Sequence, residues 1–246
     1  MPESRKYASA EERRGELMLR NPMSSKINAA AFGGDAVKLA LLLAIPEALP
    51  LGCAECGSPS ICIAAKGGSL ECVKLLAEAS NPESTDHDDS SALLWAAYFG
   101  HVDCVVFLLG FCDQEQRNVD GVSAAIAAAC SKSKTAAQCL ALLLPTAKRS
   151  LDPDNSGMNL FDHAICHAES EASVDLLCEY FRRRIPFNVL ERHMTAAICK
   201  GANANASPDI LAFCKTNIAA MAERVAIDEF LAPESLSAIS GKIRRI

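Results

Sequence analysis

Short apolar stretches alternate with polar, turn-rich ones along most of the chain, at a nearly constant interval. Val73, Leu75 and Leu76, and again Val105, Leu108 and Leu109, recur at helical spacing and predict short amphipathic helices. Each is preceded by another short apolar segment built from small residues, Ala96-Ala97 or Ala128-Ala129, which predicts a helix made for close approach to its neighbours. Gly34, Gly68 and Gly100 stand between the two segments, where a residue able to take a positive φ ends a helix at little cost. The polar stretches 50–58, 80–90, 112–121, 150–157 and 186–192 separate one helix pair from the next.

The pattern is an internal repeat. Residues 91–109 read Ser-Ala-Leu-Leu-Trp-Ala-Ala-Tyr-Phe-Gly-His-Val-Asp-Cys-Val-Val-Phe-Leu-Leu. Residues 59–77 carry Ile61, Ala64-Ala65, Gly68, Glu71, Val73 and Leu75-Leu76 at the same offsets, and 25–43 follow them. Fainter copies lie at 123–144, 159–181 and 193–213, with short insertions at 132–136 and 202–207. The signature Ala falls at 30, 64, 96, 128, 164 and 197, so successive separations are 34, 32, 32, 36 and 33 residues. One such helix pair cannot cover its own apolar face, and stacked neighbours must do so.

With Ala96-Ala97 and Gly100-His101 in place, the unit resembles the ankyrin repeat, whose pattern runs Thr-Pro-Leu-His-x-Ala-Ala-x-x-Gly-His-x-Glu-Val-Val-x-Leu-Leu and recurs every 33 residues or so. No unit keeps both the Pro and the His of that pattern, and the likeness is stronger over 25–110 than over 111–215. The resemblance implies an all-α solenoid of about six helix-turn-helix units, at 25–57, 58–90, 91–122, 123–157, 158–190 and 191–215, with the polar stretches forming β-hairpin fingers. Helical caps are expected at both ends. Ser9 and Glu12 form a capping box for a helix through about Leu19 within an N-terminal segment 1–24. Ile218, Met221 and Val225 make an apolar stripe within a C-terminal segment 216–246, with Ile227 off that stripe and a Ser-rich, mobile tail after Pro233.

The resemblance also implies where a partner would sit: on the finger tips and on the two residues after each Ala pair, which face a concave groove. Those groove positions are Phe32-Gly33, Lys66-Gly67, Tyr98-Phe99, Cys130-Ser131, Cys166-His167 and Cys199-Lys200. Tyr98 and Phe99 stand out, because aromatic side chains are favoured interface anchors. The alternative is that one of them packs on a neighbouring repeat. Glu83, Asp86, Asp88 and Asp89 give the preceding finger an acidic rim suited to a basic segment, unless the loop is merely solvated. The expected partner-binding set is therefore Phe32, Lys66, Glu83, Asp86, Asp88, Asp89, Tyr98, Phe99, His167 and Lys200.

Composition supports that picture. Half the residues are hydrophobic but only 5% are aromatic, a mix that favours packed helices over sheets. A net charge of −6 argues against nucleic-acid binding, which needs clustered Lys and Arg. No apolar run approaches the roughly 20 residues of a membrane span, and the first twenty residues hold no secretory h-region. An intracellular, cytoplasmic protein with reduced thiols is expected, so the 12 cysteines need not form disulfides.

Candidate chemistry is sparse. Cys53-Ala-Glu-Cys56 is a C-x-x-C with Cys62 nearby, but no second pair or matched His supplies four zinc ligands, and no cation is evident to activate a redox thiol. His163 and His167 are spaced i, i+4 without a metalloprotease glutamate between them. No phosphate loop, nucleophile elbow or converging carboxylates appear, so no catalytic residue and no cofactor are expected. The leading reading is a non-enzymatic scaffold for another protein. A thiol-dependent zinc or redox protein using Cys53 and Cys56 is the second. A structural subunit, or an effector delivered by an intracellular microbe as some ankyrin proteins are, is the third.

Overall fold

The computed structural model describes residues 22–45, 58–149, 151–167, 171–204 and 206–231, all of them in helices and the turns between them. The expected cap at Ser9–Leu19, the Cys53/Cys56 stretch and the tail after Pro233 lie outside the described residues. The chain divides into two compact units, Met1–Leu160 and Phe161–Ile246.

The first unit holds eight described helices: α1 (Pro22–Gly33), α2 (Ala36–Leu43), α3 (Ser60–Gly67), α4 (Leu70–Ala79), α5 (Ala92–Phe99), α6 (Val102–Leu108), α7 (Ala124–Ala129) and α8 (Ala136–Leu143). They form two stacked rows. One row runs α1, α3, α5, α7 and the other α2, α4, α6, α8, with the members of each pair packed side by side. The first row is tight because its contact residues are small: Ala30-Ala31, Ala64-Ala65, Ala96-Ala97 and Ala128-Ala129 are all buried. At Gly67 the approach leaves no room for a side chain, since a Cβ there would strike the backbone of Phe32. The second row contributes the larger core side chains Leu39, Leu76, Leu108 and Leu140.

Local chemistry sets the helix ends. Ser91 and Ser123 accept from the amides of Leu94 and Ile126, and Ser69 accepts from that of Cys72. Gly68 and Gly100 close α3 and α5 at φ 77° and 76°. In the fourth pair, α7 ends early at Ala129, and the expected insertion at 132–136 folds back on the repeat before it. There the Thr135 hydroxyl donates to the Gly100 carbonyl.

The polar stretches of this unit repeat one turn design. Asp86, Asn118 and Asp154 each accept, through Oδ1, from the amides two and four residues on. The residue three further along is left-handed in every case: Asp89 at φ 57°, Gly121 at 80° and Gly157 at 74°. A single β-bridge closes each of the first two turns, Thr85 with Ser91 and Arg117 with Ser123. Successive turns are then stitched together, Val119 N donating to Asp88 O and Asn155 N to Asp120 O, both at 2.9 Å. Arg117 spans a further gap by donating to the carbonyls of Pro153, Arg149 and Asp152.

The second unit contains α9 (Leu160–His167), α10 (Glu171–Arg182), α11 (Phe187–Asn203) and α12 (Pro208–Leu231). Phe161 packs on Phe181 at 5.3 Å between centroids, and Gly201 lets α11 approach Ile165 of α9. Two sequence expectations change here. The polar stretch 186–192 is not a finger: Pro186, with φ −57° and ψ 144°, launches α11 directly, and Leu190 is buried. The Ile218–Val225 stripe is part of α12, which runs on from Pro208 without a break. Ile227 is half exposed, as its position off the stripe implies.

Candidate functional site

The groove positions of the first unit lie at the C-terminal ends of α1, α3 and α5. Trp95, Tyr98 and Phe99 form a cluster on α5 because i, i+3 and i+4 share a face. Trp95 meets Tyr98 edge-on at 6.2 Å and stacks on Phe99 at 6.2 Å, while Tyr98 and Phe99 are perpendicular at 5.3 Å. His101 extends the stack at 6.2 Å from Phe99, and its Nε2 lies 3.1 Å from the Lys66 carbonyl of the preceding repeat. Its ring fills the space over Gly68, where any side chain would collide with it. Despite these mutual contacts Tyr98 and Phe99 remain 43% and 42% exposed, so the cluster is built but not covered. Phe32, one repeat earlier, is 60% exposed.

Lys66 and Asp86 both hold Trp95, and they contact each other. The Lys66 ammonium sits 3.8 Å from the centroid of the Trp95 ring, a cation–π contact, and 3.9 Å from Asp86 Oδ2. The Trp95 indole N–H donates to the same Oδ2 at 2.8 Å, while Asp86 Oδ1 accepts from Ser90 N at 2.9 Å. Asp86 is buried, so it is an internal strut and not part of an exposed rim. Glu83, Asp88 and Asp89 are exposed, and the acidic edge consists of these three. Trp95 was missed from sequence. It is the chain's single Trp and sits immediately before the Ala pair, three and four residues ahead of Tyr98 and Phe99.

The two expected site residues of the second unit belong to other contacts. His167 is exposed and stacks on the buried His163 at 5.5 Å between ring centroids. Lys200 reaches from α11 to Asp162 of α9 with Nζ–Oδ2 at 2.6 Å, and that carboxylate is fully buried. Both lie in the second unit.

The described cysteines are mostly core residues. Cys62, Cys72, Cys104, Cys112, Cys139, Cys178 and Cys214 are buried free thiols. Desolvation pushes Cys104, Cys112, Cys139 and Cys214 up to about 11 and Cys178 up to about 12, and it raises Cys62 further still. Thiols so placed are protonated and poor nucleophiles. Among the described residues no three His, Cys, Asp or Glu side chains gather to hold a metal ion, and no helix is long and apolar enough to cross a membrane.

Stacked helix pairs, small residues along the inner row and repeating turns at one edge define a helical repeat array. A comparison with protein families makes the class specific: residues 27–118 match the family model for ankyrin repeats, in three copies. Over those residues the chain carries ankyrin repeats, a fold generally used for protein–protein interaction. A comparison with curated proteins found no match.

Proposed function

We propose that the chain is a non-enzymatic binding module that holds a basic segment of another protein in the groove centred on Tyr98 and Phe99. The observation that carries this reading is the cluster itself. Trp95 is fixed by Asp86 and Lys66, and it presents two preorganised aromatic faces that the protein leaves uncovered. Rigid, half-exposed aromatics bind with little further loss of side-chain freedom. Phe32 extends the apolar surface toward the preceding repeat. Glu83, Asp88 and Asp89 line the neighbouring turn and supply a negative edge that speeds and orients association with a cationic partner.

Lys66 and Asp86 act in this scheme by positioning Trp95, not by touching the partner. His167 and Lys200 lie in the second unit and are left out of the contact set.

The test is affinity capture from lysate with wild type and a Tyr98→Ala/Phe99→Ala variant, both shown to be folded by circular dichroism. A partner held by wild type and lost by the variant is the expected result. A partner retained equally by both would remove the groove from its role.

A further inference from the structure

The second unit contains a cleft that the groove reading does not use. The turn after α10 and the facing sides of α11 and α12 enclose about 420 Å³, within the range of small-molecule sites. Its apolar wall is Ile185, Phe187, Leu190, Met221 and Val225, and its charged lining is Arg182, Arg183 and Arg224 with no carboxylate. An adjoining recess of about 170 Å³ shares Arg182, Met221 and Arg224, and adds Asp175, Glu179 and Asn217.

The guanidinium groups are arranged, not merely abundant. Glu179 holds Arg182 at 2.8 Å and Arg183 at 2.6 Å. Arg184 is turned aside onto the Tyr180 ring, 3.6 Å from its centroid, and donates to the Tyr180 carbonyl. Arg224 makes no hydrogen bond or ion pair among the described residues and is exposed at the cleft. The Asn217 amide nitrogen, at the recess, is buried without an acceptor, so a small turn of that side chain toward a bound anion would satisfy it.

We propose that this cleft binds a single-chain amphiphile with a monoanionic head, a fatty carboxylate being the simplest case. The tail lies along Phe187, Leu190, Met221 and Val225, and the head sits where cavity and recess join, against Arg224 and Arg182. Asp175 and Glu179 in the recess limit the positive charge and disfavour a multiply charged head.

Isothermal titration of the full chain with dodecanoate, below its micelle concentration, tests the assignment, with dodecan-1-ol and dodecyltrimethylammonium as comparisons. Dodecanoate is expected to bind with one-to-one stoichiometry, and the neutral and cationic analogues at least tenfold more weakly. Arg224→Gln should lose about tenfold in dodecanoate affinity, the equivalent of one charge-assisted hydrogen bond, with an unchanged melting temperature in the absence of ligand. Arg182→Gln, which removes the other arginine against the head, provides a second variant if Arg224→Gln does not fold. Equal binding of the three amphiphiles, unchanged affinity in the folded arginine variant, or no dodecanoate binding would overturn the proposal. Binding of an acidic amphipathic peptide in place of dodecanoate would overturn it too, by making the cleft a protein-docking surface.

Discussion

Trp95 and Asp86 are joined by a 2.8 Å hydrogen bond from the indole N–H to a buried carboxylate, and this bond ties the aromatic face of α5 to the turn that precedes it. One carboxylate thus shapes the turn, through the amides of Asp88 and Ser90, and orients the ring on which Tyr98 and Phe99 rest. Asp86→Ala removes both functions and leaves buried donors unmet. A loss of about 2–3 kcal/mol in urea denaturation is expected. Asp86→Asn should cost less, because Asn118 caps the next turn with the same pair of amide contacts. The single Trp is the natural probe, and unchanged stability in Asp86→Ala would contradict the role.

Asp89 occupies the left-handed position that Gly121 and Gly157 fill in the other two turns. An Asp tolerates φ 57° better than most residues but not without strain. Asp89→Gly should therefore raise stability, by about 0.5–1 kcal/mol after the entropy of the freer unfolded chain is counted. A lower denaturation midpoint would show that the Asp89 side chain has a stabilising role that its backbone strain conceals.

Much of this architecture was legible in the sequence, because ankyrin packing is written in small residues. Ala30, Ala64, Ala96 and Ala128 can be found by their spacing alone, and all four are buried in the inner row. Gly68 and Gly100 mark helix ends by conformation, which a sequence also displays. Side-chain direction was not legible. Asp86 stands in an acidic run with Asp88 and Asp89, and nothing in that run tells which carboxylate turns inward to meet an indole. Lys66 looked like a groove contact because its partner, Trp95, lies a whole repeat away. In the second unit Pro186 resembled a turn residue, although a proline at this place equally starts a helix. The arginine-lined cleft draws its walls from α10, α11 and α12 and has no local signature.

Lys200 and Asp162 form a pair in which the lysine is partly exposed and the aspartate is not. Removing the cation takes the Lys200 ion pair away from a buried carboxylate. Lys200→Ala should destabilise the second unit by about 2 kcal/mol, below the roughly 3–5 kcal/mol of a pair buried on both sides. Lys200→Ala/Asp162→Asn should recover part of the loss. Additive effects in that double-mutant cycle would contradict a coupled pair.

The raised thiols make stability pH-dependent on the alkaline side. Their folded values lie near 11–12 against an ordinary 9.0, so the unfolded chain releases these protons first as pH rises. Their contribution is complete below pH 9 and is lost as pH climbs from there through about 11–12. Thermal melts should accordingly show a falling midpoint over that window. At pH 8 an aromatic disulfide reagent should modify the exposed Cys199 rapidly, and Cys104, Cys139 and Cys214 only on the timescale of opening. Equal rates at all four would contradict the burial that underlies the shifts.

The central claim is that the Tyr98–Phe99 face is covered by a partner. Photo-crosslinking measures this most directly, with p-benzoylphenylalanine placed at position 98 in one variant and at the exposed Val106 of the outer helix row in another. The account expects a discrete protein adduct from position 98 that is absent from position 106. An adduct from position 106 alone, or none from position 98 while a partner is captured, would contradict it.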